Sequence, residues 1–253
     1  MKILTDVKLM YARSMGHTLR NPIYVFVSLF QPILYLILFM PLLQNLGGVP
    51  GLPAGQTVQV FIPGLLVMLA LFGSAFVGFN IIDDIRSGVI ERFLVTPVSR
   101  SAILLGMILK DVTVFIVQCI LITLIAIPMG LEVNPAGFIL ALPLYAMIAV
   151  TMASMSYSFG LIYKIEDNLA PTLNMITLPV SLLSGIILPM ALAPTWLQDL
   201  AKLNPFSYAV DASRMLFAGN FGNVEIVEGY VIITVFALAM FWWSTKSLGK
   251  MAE

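Results

Sequence analysis

The chain has 253 residues, 60% hydrophobic and only 10% charged, with thirteen Lys and Arg balancing thirteen Asp and Glu. Soluble domains carry about a quarter charged residues, so this composition excludes one. A net charge of zero supplies no overall field for nucleic acid. Together with the helix-length apolar stretches along the chain, the composition predicts an all-α integral membrane protein with one transmembrane domain over residues 1–253.

Along residues 1–20 charge and hydrophobe alternate without an apolar core, so no cleavable signal is expected. Leu4, Val7, Tyr11, Met15 and Leu19 recur at helical spacing, with Lys2, Asp6, Arg13, His17 and Arg20 on the other side. The pattern predicts an amphipathic helix lying in the membrane interface, its cations toward headgroups. His17, the only histidine, falls on that solvated polar face. Asn21-Pro22 ends the helix and turns the chain inward.

Six apolar stretches follow, at 22–43, 58–82, 103–127, 138–162, 170–192 and 226–243. Each is about 20 residues, enough for a helix rising ~1.5 Å per residue to cross a ~30 Å hydrocarbon core. With the N-terminus in the cytoplasm, the inner side collects Lys2, Lys8, Arg13, Arg20, Arg86, Arg92, Arg100, Lys110, Lys164, Lys246 and Lys250. Of the thirteen cations only Lys202 and Arg214 stay outside. That bias places both termini in the cytoplasm.

The first outer loop, 44–57, is uncharged and rich in Gly and Pro, a run of turn signals. The connection between the second and third spans is more pointed. Ile90, Phe93 and Leu94 form an i, i+3, i+4 apolar triplet flanked by Glu91 and Arg92. Pro97 stops the turn, and Ser101 is placed to cap the next helix. An exposed triplet of this kind suits a knob docking into another protein's groove, or equally a helix packed onto the bilayer surface.

Within the spans ionisable groups are few. Lys110 and Asp111 lie near the cytoplasmic end of the third, where Lys110 is expected to snorkel and pair with inner-loop charges. Cys119 reads as a small packing residue. Ala149, Ala153, Ser156 and Gly160 give the fourth span a small-residue face for close helix approach. Ser181, Ser184 and Gly185 before Pro189 predict a bend near the outer end of the fifth. No midplane carboxylate or histidine serves a proton-coupled carrier, and no residue cluster suits catalysis or a metal.

Residues 193–225 are too long and too apolar for a solvent loop. Trp196, Leu197, Leu200 and Leu203 form one helical stripe. After Asn204-Pro205, Tyr208, Val210, Ala212, Met215 and Leu216 form a second. Two short helices are expected, either re-entrant from the outer side or flat on the surface. Asp211 and Arg214, at i, i+3, are placed to pair.

The segment ERFLVTPVSRSAILLGMILKD resembles the cytoplasmic coupling-helix region of ABC-2 type exporter permeases, including those of daunorubicin-resistance, nodulation-factor and polysaccharide export. A second match is residues 178–217, LPVSLLSGIILPMALAPTWLQDLAKLNPFSYAVDASRMLF. It is similar to the family's small-residue span, Pro-bounded Trp helix, and Asn-Pro followed by a short helix with an Arg. The resemblance implies a permease subunit in a prokaryotic inner membrane, working as a homo- or heterodimer with two separate ATP-binding subunits. ATP and Mg would then sit on the partner, and no GxxxxGK[ST] phosphate loop occurs in this sequence. It implies ATPase contacts at Ile90, Glu91, Arg92, Phe93, Leu94, Thr96 and Pro97, with a second contact at Lys164 and Glu166. If the first, second and fifth spans line the dimer seam, Met40, Met68, Phe72, Phe76, Met175, Ser184 and Gly185 face the pathway. Pro189, Trp196, Phe206, Tyr208, Asp211 and Arg214 would form an outer gate. An apolar, uncharged seam suits lipids, amphipathic drugs or lipid-linked glycans. The alternatives are a membrane scaffold recruiting a non-ATPase partner and a secondary transporter.

Overall fold

A computed structural model of the chain describes residues 2–21, 27, 30, 33–38, 57–96, 98–186, 190 and 193–250. Among the described residues there are helices and turns and no strand. Four segments are long and apolar enough to cross a membrane: Val58–Arg86, Arg100–Met129, Pro135–Tyr163 and Val224–Lys250. They are the expected second, third, fourth and sixth spans, each extended by a few residues. The expected first span lies mostly outside the described residues, although 33–38 are helical.

Chain order begins with α1 (Lys2–Leu19), followed by α2 (Thr57–Ala75), α3 (Gly78–Arg86), α4 (Val89–Leu94) and α5 (Arg100–Ala126). Then come α6 (Pro135–Tyr163), α7 (Glu166–Leu183), α8 (Thr195–Ala201), α9 (Pro205–Phe217) and α10 (Val224–Lys250). Helix α7 stands where the fifth span is expected. Its 18 residues make about 27 Å, slightly less than a hydrocarbon core. It ends at Ser184–Gly185, where Gly185 adopts φ +69°. The bend thus falls before Pro189, which lies outside the described residues.

Side-chain caps set several boundaries. Asn134 opens α6 by accepting the N–H of Ala136 at 3.1 Å and of Gly137 at 3.4 Å, with Pro135 in the first turn. The α5 cap is Ser99, not the expected Ser101. The chain is still extended at Ser99 (φ −70°, ψ 137°), so its hydroxyl accepts the Ala102 N–H at 3.3 Å.

Helix α6 is the hub, touching α2, α3, α5, α7, α9 and α10. Its small face is buried at Ala149, Ala153, Ser156 and Gly160. The face meets the interruption between α2 and α3. A Cβ on Gly78 would lie 2.4 Å from the Ser156 carbonyl oxygen, and one on Gly160 2.8 Å from that of Gly78. The Ser156 hydroxyl donates to the Ala75 carbonyl and accepts the Gly78 N–H at 2.8 Å, so one side chain satisfies both edges of the break. Ser156→Ala should therefore leave two buried backbone groups unpaired. The expected loss is about 1–3 kcal/mol, read as a lower unfolding midpoint of detergent-solubilised protein; an unchanged midpoint would contradict this role.

Helix α1 forms as expected and leaves Leu4 and Leu19 exposed, but its Met10 side packs on α5. A Cβ on Gly106 would lie 2.4 Å from the Met10 Cβ, so the glycine admits the approach. Helix α9 packs among α10, α2 and α6, burying Phe206, Val210 and Leu216. A Cβ on Gly229 of α10 would lie 2.7 Å from the Tyr208 carbonyl oxygen, another close helix approach. In contrast, α8 leaves Trp196 and Leu200 exposed, and Leu203 just beyond it is exposed as well.

Candidate functional site

Three neighbourhoods gather the residues singled out from the sequence. The first is the corner between α3 and α4. Ser87 closes α3, its N–H bonding the Asp83 carbonyl at 2.9 Å and its hydroxyl the same oxygen at 2.8 Å. Gly88 then turns the chain at φ +68°, a conformation that suits glycine. The triplet expected to be exposed is not one. Ile90 is buried in a cluster with Met10, Ile81, Ile103 and Tyr157, because α1 and α5 cover that side. Phe93 is half-buried, with the Arg13 guanidinium 4.9 Å from its ring centroid. Arg13 also bonds Asp84 at 3.1 Å, so this cation, expected toward headgroups, instead ties α1 to the corner.

What the corner presents outward is Glu91, Arg92, Val95 and Thr96. The Thr96 hydroxyl donates to the Phe93 carbonyl at 2.7 Å and caps the short helix. Val95 is 87% exposed, the most accessible large apolar residue described. Sequence reasoning missed it because it follows the last helical residue and lies off the triplet's face. An isolated β-branched residue before Thr-Pro is the signal that was present. Pro97 and the side chain of Leu94 lie outside what is described. Glu166 at the start of α7 pairs with Arg86 at the end of α3. Lys164 is exposed and closes α6 at φ +57°, unusual for a residue with a Cβ.

The second neighbourhood is a cavity of about 730 Å³ bordered by Met68, Phe72 and Phe76 with Phe79, Phe115 and Tyr35. Phe76 and Phe79 stack with centroids 6.2 Å apart. The polar lining comes from Ser74, Asn80, Asp111 and Gln118. Three expected pathway residues thus meet. Met175 does not join them; it is 79% exposed on α7, and Leu178 reaches the cavity instead. Met40 lies outside the described residues. Ser184 and Gly185 belong to the third neighbourhood.

A polar cavity of about 510 Å³ adjoins through Asn80 and is bordered by Arg13, His17, Asp83, Asp84 and Lys110. Between the two cavities Lys110 pairs with Asp111, which also accepts a hydrogen bond from the Tyr157 hydroxyl. Lys110 therefore neither snorkels nor pairs with the inner loop. Its side chain is 6% exposed, and the adjacent carboxylate neutralises it. Removing one partner of such a buried pair would leave the other charge uncompensated, which is strongly destabilising.

The third neighbourhood is the end of α7. Ending a helix frees its last carbonyls, and here side chains of the following segment take them. Asn204 donates to the Val180 carbonyl at 2.8 Å while its own oxygen caps α9 by accepting the Phe206 N–H at 3.1 Å. Arg214 Nη2 donates to the carbonyls of Gly185 at 2.7 Å and Ile186 at 3.2 Å, and Nε to that of Val60 at 3.4 Å. A Cβ on Gly64 would lie 2.3 Å from the Ile186 oxygen, so α2 admits the turn at this glycine. The expected pair with Asp211 is present but long, at 3.7 Å, with Asp211 half exposed. Burial lowers the Arg214 pKa from its usual value, and the Asp211 carboxylate opposes that shift. The Tyr208 hydroxyl donates to the Lys202 carbonyl at 3.1 Å, joining α9 to the end of α8. Phe206 packs edge-on against Phe236 of α10. Trp196 remains 62% exposed, apart from this junction.

The sequence pattern of the ABC-2 type transporter family matches residues 5–218. The chain is 26% identical to the ycf38 transport permease of Cyanophora paradoxa over 243 residues, covering 90% of this chain and 84% of that protein. It is 25% identical to the daunorubicin resistance ABC transporter permease protein DrrB1 of Streptomyces coeruleorubidus over 208 residues, 81% and 72% of the two chains. It is also 25% identical to the inner membrane transport permease YadH of Escherichia coli K12 over 234 residues, 88% of each.

Proposed function

The chain belongs to the ABC-2 type transporter family, and on that premise we propose that it is the six-span permease subunit of an ATP-driven exporter. In this reading two permease subunits, identical or different, form the pathway, and two separate ATP-binding subunits engage them from the cytoplasm. The observation that carries the reading is the α3–α4 corner. It is held rigidly from inside by Ile90 and by Arg13 on Asp84 and Phe93, and it offers outward a small tip of Glu91, Arg92, Val95 and Thr96. A tip fixed to several membrane helices can pass a push from a docked partner into them. Lys164 and the Arg86–Glu166 pair provide a second cytoplasmic contact.

The aromatic cavity between α2, α3 and α5 supports an amphipathic cargo, such as a lipid, a drug or a lipid-linked glycan. Its rings and methionine suit an apolar body, and Asn80 and Gln118 suit a polar group. The relative from Streptomyces coeruleorubidus is named for daunorubicin resistance, and an amphipathic drug is one member of this class. The test is to co-express the chain with an ATP-binding subunit, reconstitute the purified complex, and measure ATP-dependent movement of a fluorescent amphiphile. A complex that forms but gives no ATP-dependent movement of lipid, drug or lipid-linked glycan would defeat the exporter reading.

The membrane placement follows the charge count, with both termini in the cytoplasm of a prokaryotic cell and the α8–α9 segment at the outer face. In a Cys119→Ser background, Leu203→Cys should react with an impermeant thiol reagent on intact cells. Val95→Cys should react only after the membrane is opened. Both side chains are strongly exposed, at 81% and 87%, so reactivity reports sidedness and not burial. The reverse pattern would invert the assignment.

A further inference from the structure

The cytoplasmic end of α10 carries a feature that neither the pathway nor the ATPase contact uses. A cavity of about 440 Å³ is bordered by Arg100, Trp242, Thr245, Lys246, Gly249 and Lys250. Every charged residue around it is a cation. Trp242, Lys246 and Lys250 stand at i, i+4, i+8 and form one stripe of α10, and Arg100 enters from the first turn of α5. Among the described residues none of the three cations forms an ion pair with a carboxylate.

Gly249 shapes the cavity. A Cβ there would lie 3.2 Å from Arg100 Nη1, so the missing side chain lets the guanidinium lie close against α10. Depth is set by length. The 27 residues of α10 make about 40 Å, roughly 10 Å more than a hydrocarbon core. With the apolar stretch ending at Trp243, residues 244–250 reach headgroup level. Trp242 is 65% exposed, and Lys246 Nζ lies 5.1 Å from its ring centroid. An aromatic ring beside basic residues at that depth is the arrangement of a membrane-interface anchor. Cations in a last helical turn also complement the helix dipole, but that role needs neither a guanidinium from another helix nor a gap to receive it.

We propose that this cavity binds the headgroup of an anionic glycerophospholipid of the inner leaflet. Arg100 takes the phosphate as a forked donor, Lys246 and Lys250 add charge, and the acyl chains run past Trp242 along α10. A zwitterionic lipid is discriminated against because its ammonium group would face three cations. The inference rests on the proposed cytoplasmic placement of this helix end at the bilayer interface and not on the transport reading.

The test is lipid retention by the full-length protein in detergent, measured by native mass spectrometry with phosphatidylglycerol and phosphatidylcholine in parallel. Each cation near an anionic surface is worth about fivefold in affinity, so wild type should retain phosphatidylglycerol at least tenfold over phosphatidylcholine. The triple change Arg100→Gln, Lys246→Gln, Lys250→Gln should remove that preference. Because this variant also alters topogenic charge, Gly249→Leu provides a second arm: it keeps all three cations, fills the gap and should lose most of the preference. Equal retention of the two lipids by wild type would overturn the proposal. So would a Gly249→Leu variant that binds like wild type, since the charges alone would then suffice. Displacement of the lipid by inorganic phosphate would identify a free-anion site and also overturn it.

Discussion

Arg214→Ala should lower the unfolding free energy by about 2–4 kcal/mol and reduce transport further than it reduces assembly with the partner subunits. The reason lies in what the guanidinium holds. With its side chain 12% exposed, Arg214 bonds the carbonyls of Gly185, Ile186 and Val60, so one group joins the broken end of α7 to α9 and α2. A buried acceptor left unpaired costs roughly 1–3 kcal/mol, and bonds to a charged donor lie at the stronger end. Alanine removes all three bonds. Asp211 matters less than its spacing predicts, because it is half exposed and 3.7 Å away. Asp211→Asn should cost less than about 0.5 kcal/mol. Arg214→Lys should fall between the two, retaining charge but supplying one point donor where the fork reached several carbonyls. Thermal unfolding in detergent and ATP-dependent transport in proteoliposomes check the series. If Arg214→Ala and Asp211→Asn proved equal, the carbonyl network would be incidental and the ion pair would be the working contact.

Much of the bundle was legible because lipid simplifies the reading. A span must be long and apolar, so Val58–Arg86, Arg100–Met129, Pro135–Tyr163 and Val224–Lys250 announced themselves. The small face of α6 was readable for a related reason: without a hydrophobic drive between helices, close packing needs small side chains. What remained hidden depended on groups with no signature of their own. The Arg214 network uses backbone carbonyls, which every residue carries, and those of Gly185 and Ile186 become free only because α7 stops at Ser184–Gly185. The inward turn of Ile90 needed the knowledge that α1 folds back onto α5 at Gly106. Lys110 was misread from its depth alone, since snorkelling is the rule only for a lysine without a neighbour. Here Asp111, itself held by the Tyr157 hydroxyl, provides one.

The inward turn of Ile90 also changes which substitution tests the cytoplasmic contact. Replacing Phe93 would confuse two effects, because its ring lies beneath Arg13 and supports α1. Val95 is free of that ambiguity. It is 87% exposed and stands just beyond α4, whose geometry is fixed by the Thr96 cap and by buried Ile90. Val95→Asp should leave expression, insertion and the unfolding midpoint of the isolated permease unchanged, since exposed substitutions away from special contacts stay within about 0.5 kcal/mol. If the tip seats in an ATPase groove, the same change puts an unpaired charge into a desolvated contact. Truncation of a central interface residue typically costs 2 kcal/mol or more, and a buried lone charge costs more than truncation. Retention of the ATP-binding subunit on an affinity-tagged permease should then fall by about thirtyfold or more, and ATP-dependent transport with it. Val95→Ile, which preserves an apolar tip, should retain the partner. If Val95→Asp retained the ATP-binding subunit as well as wild type, the tip would lie outside the contact, and the Lys164 and Glu166 edge would become the place to look.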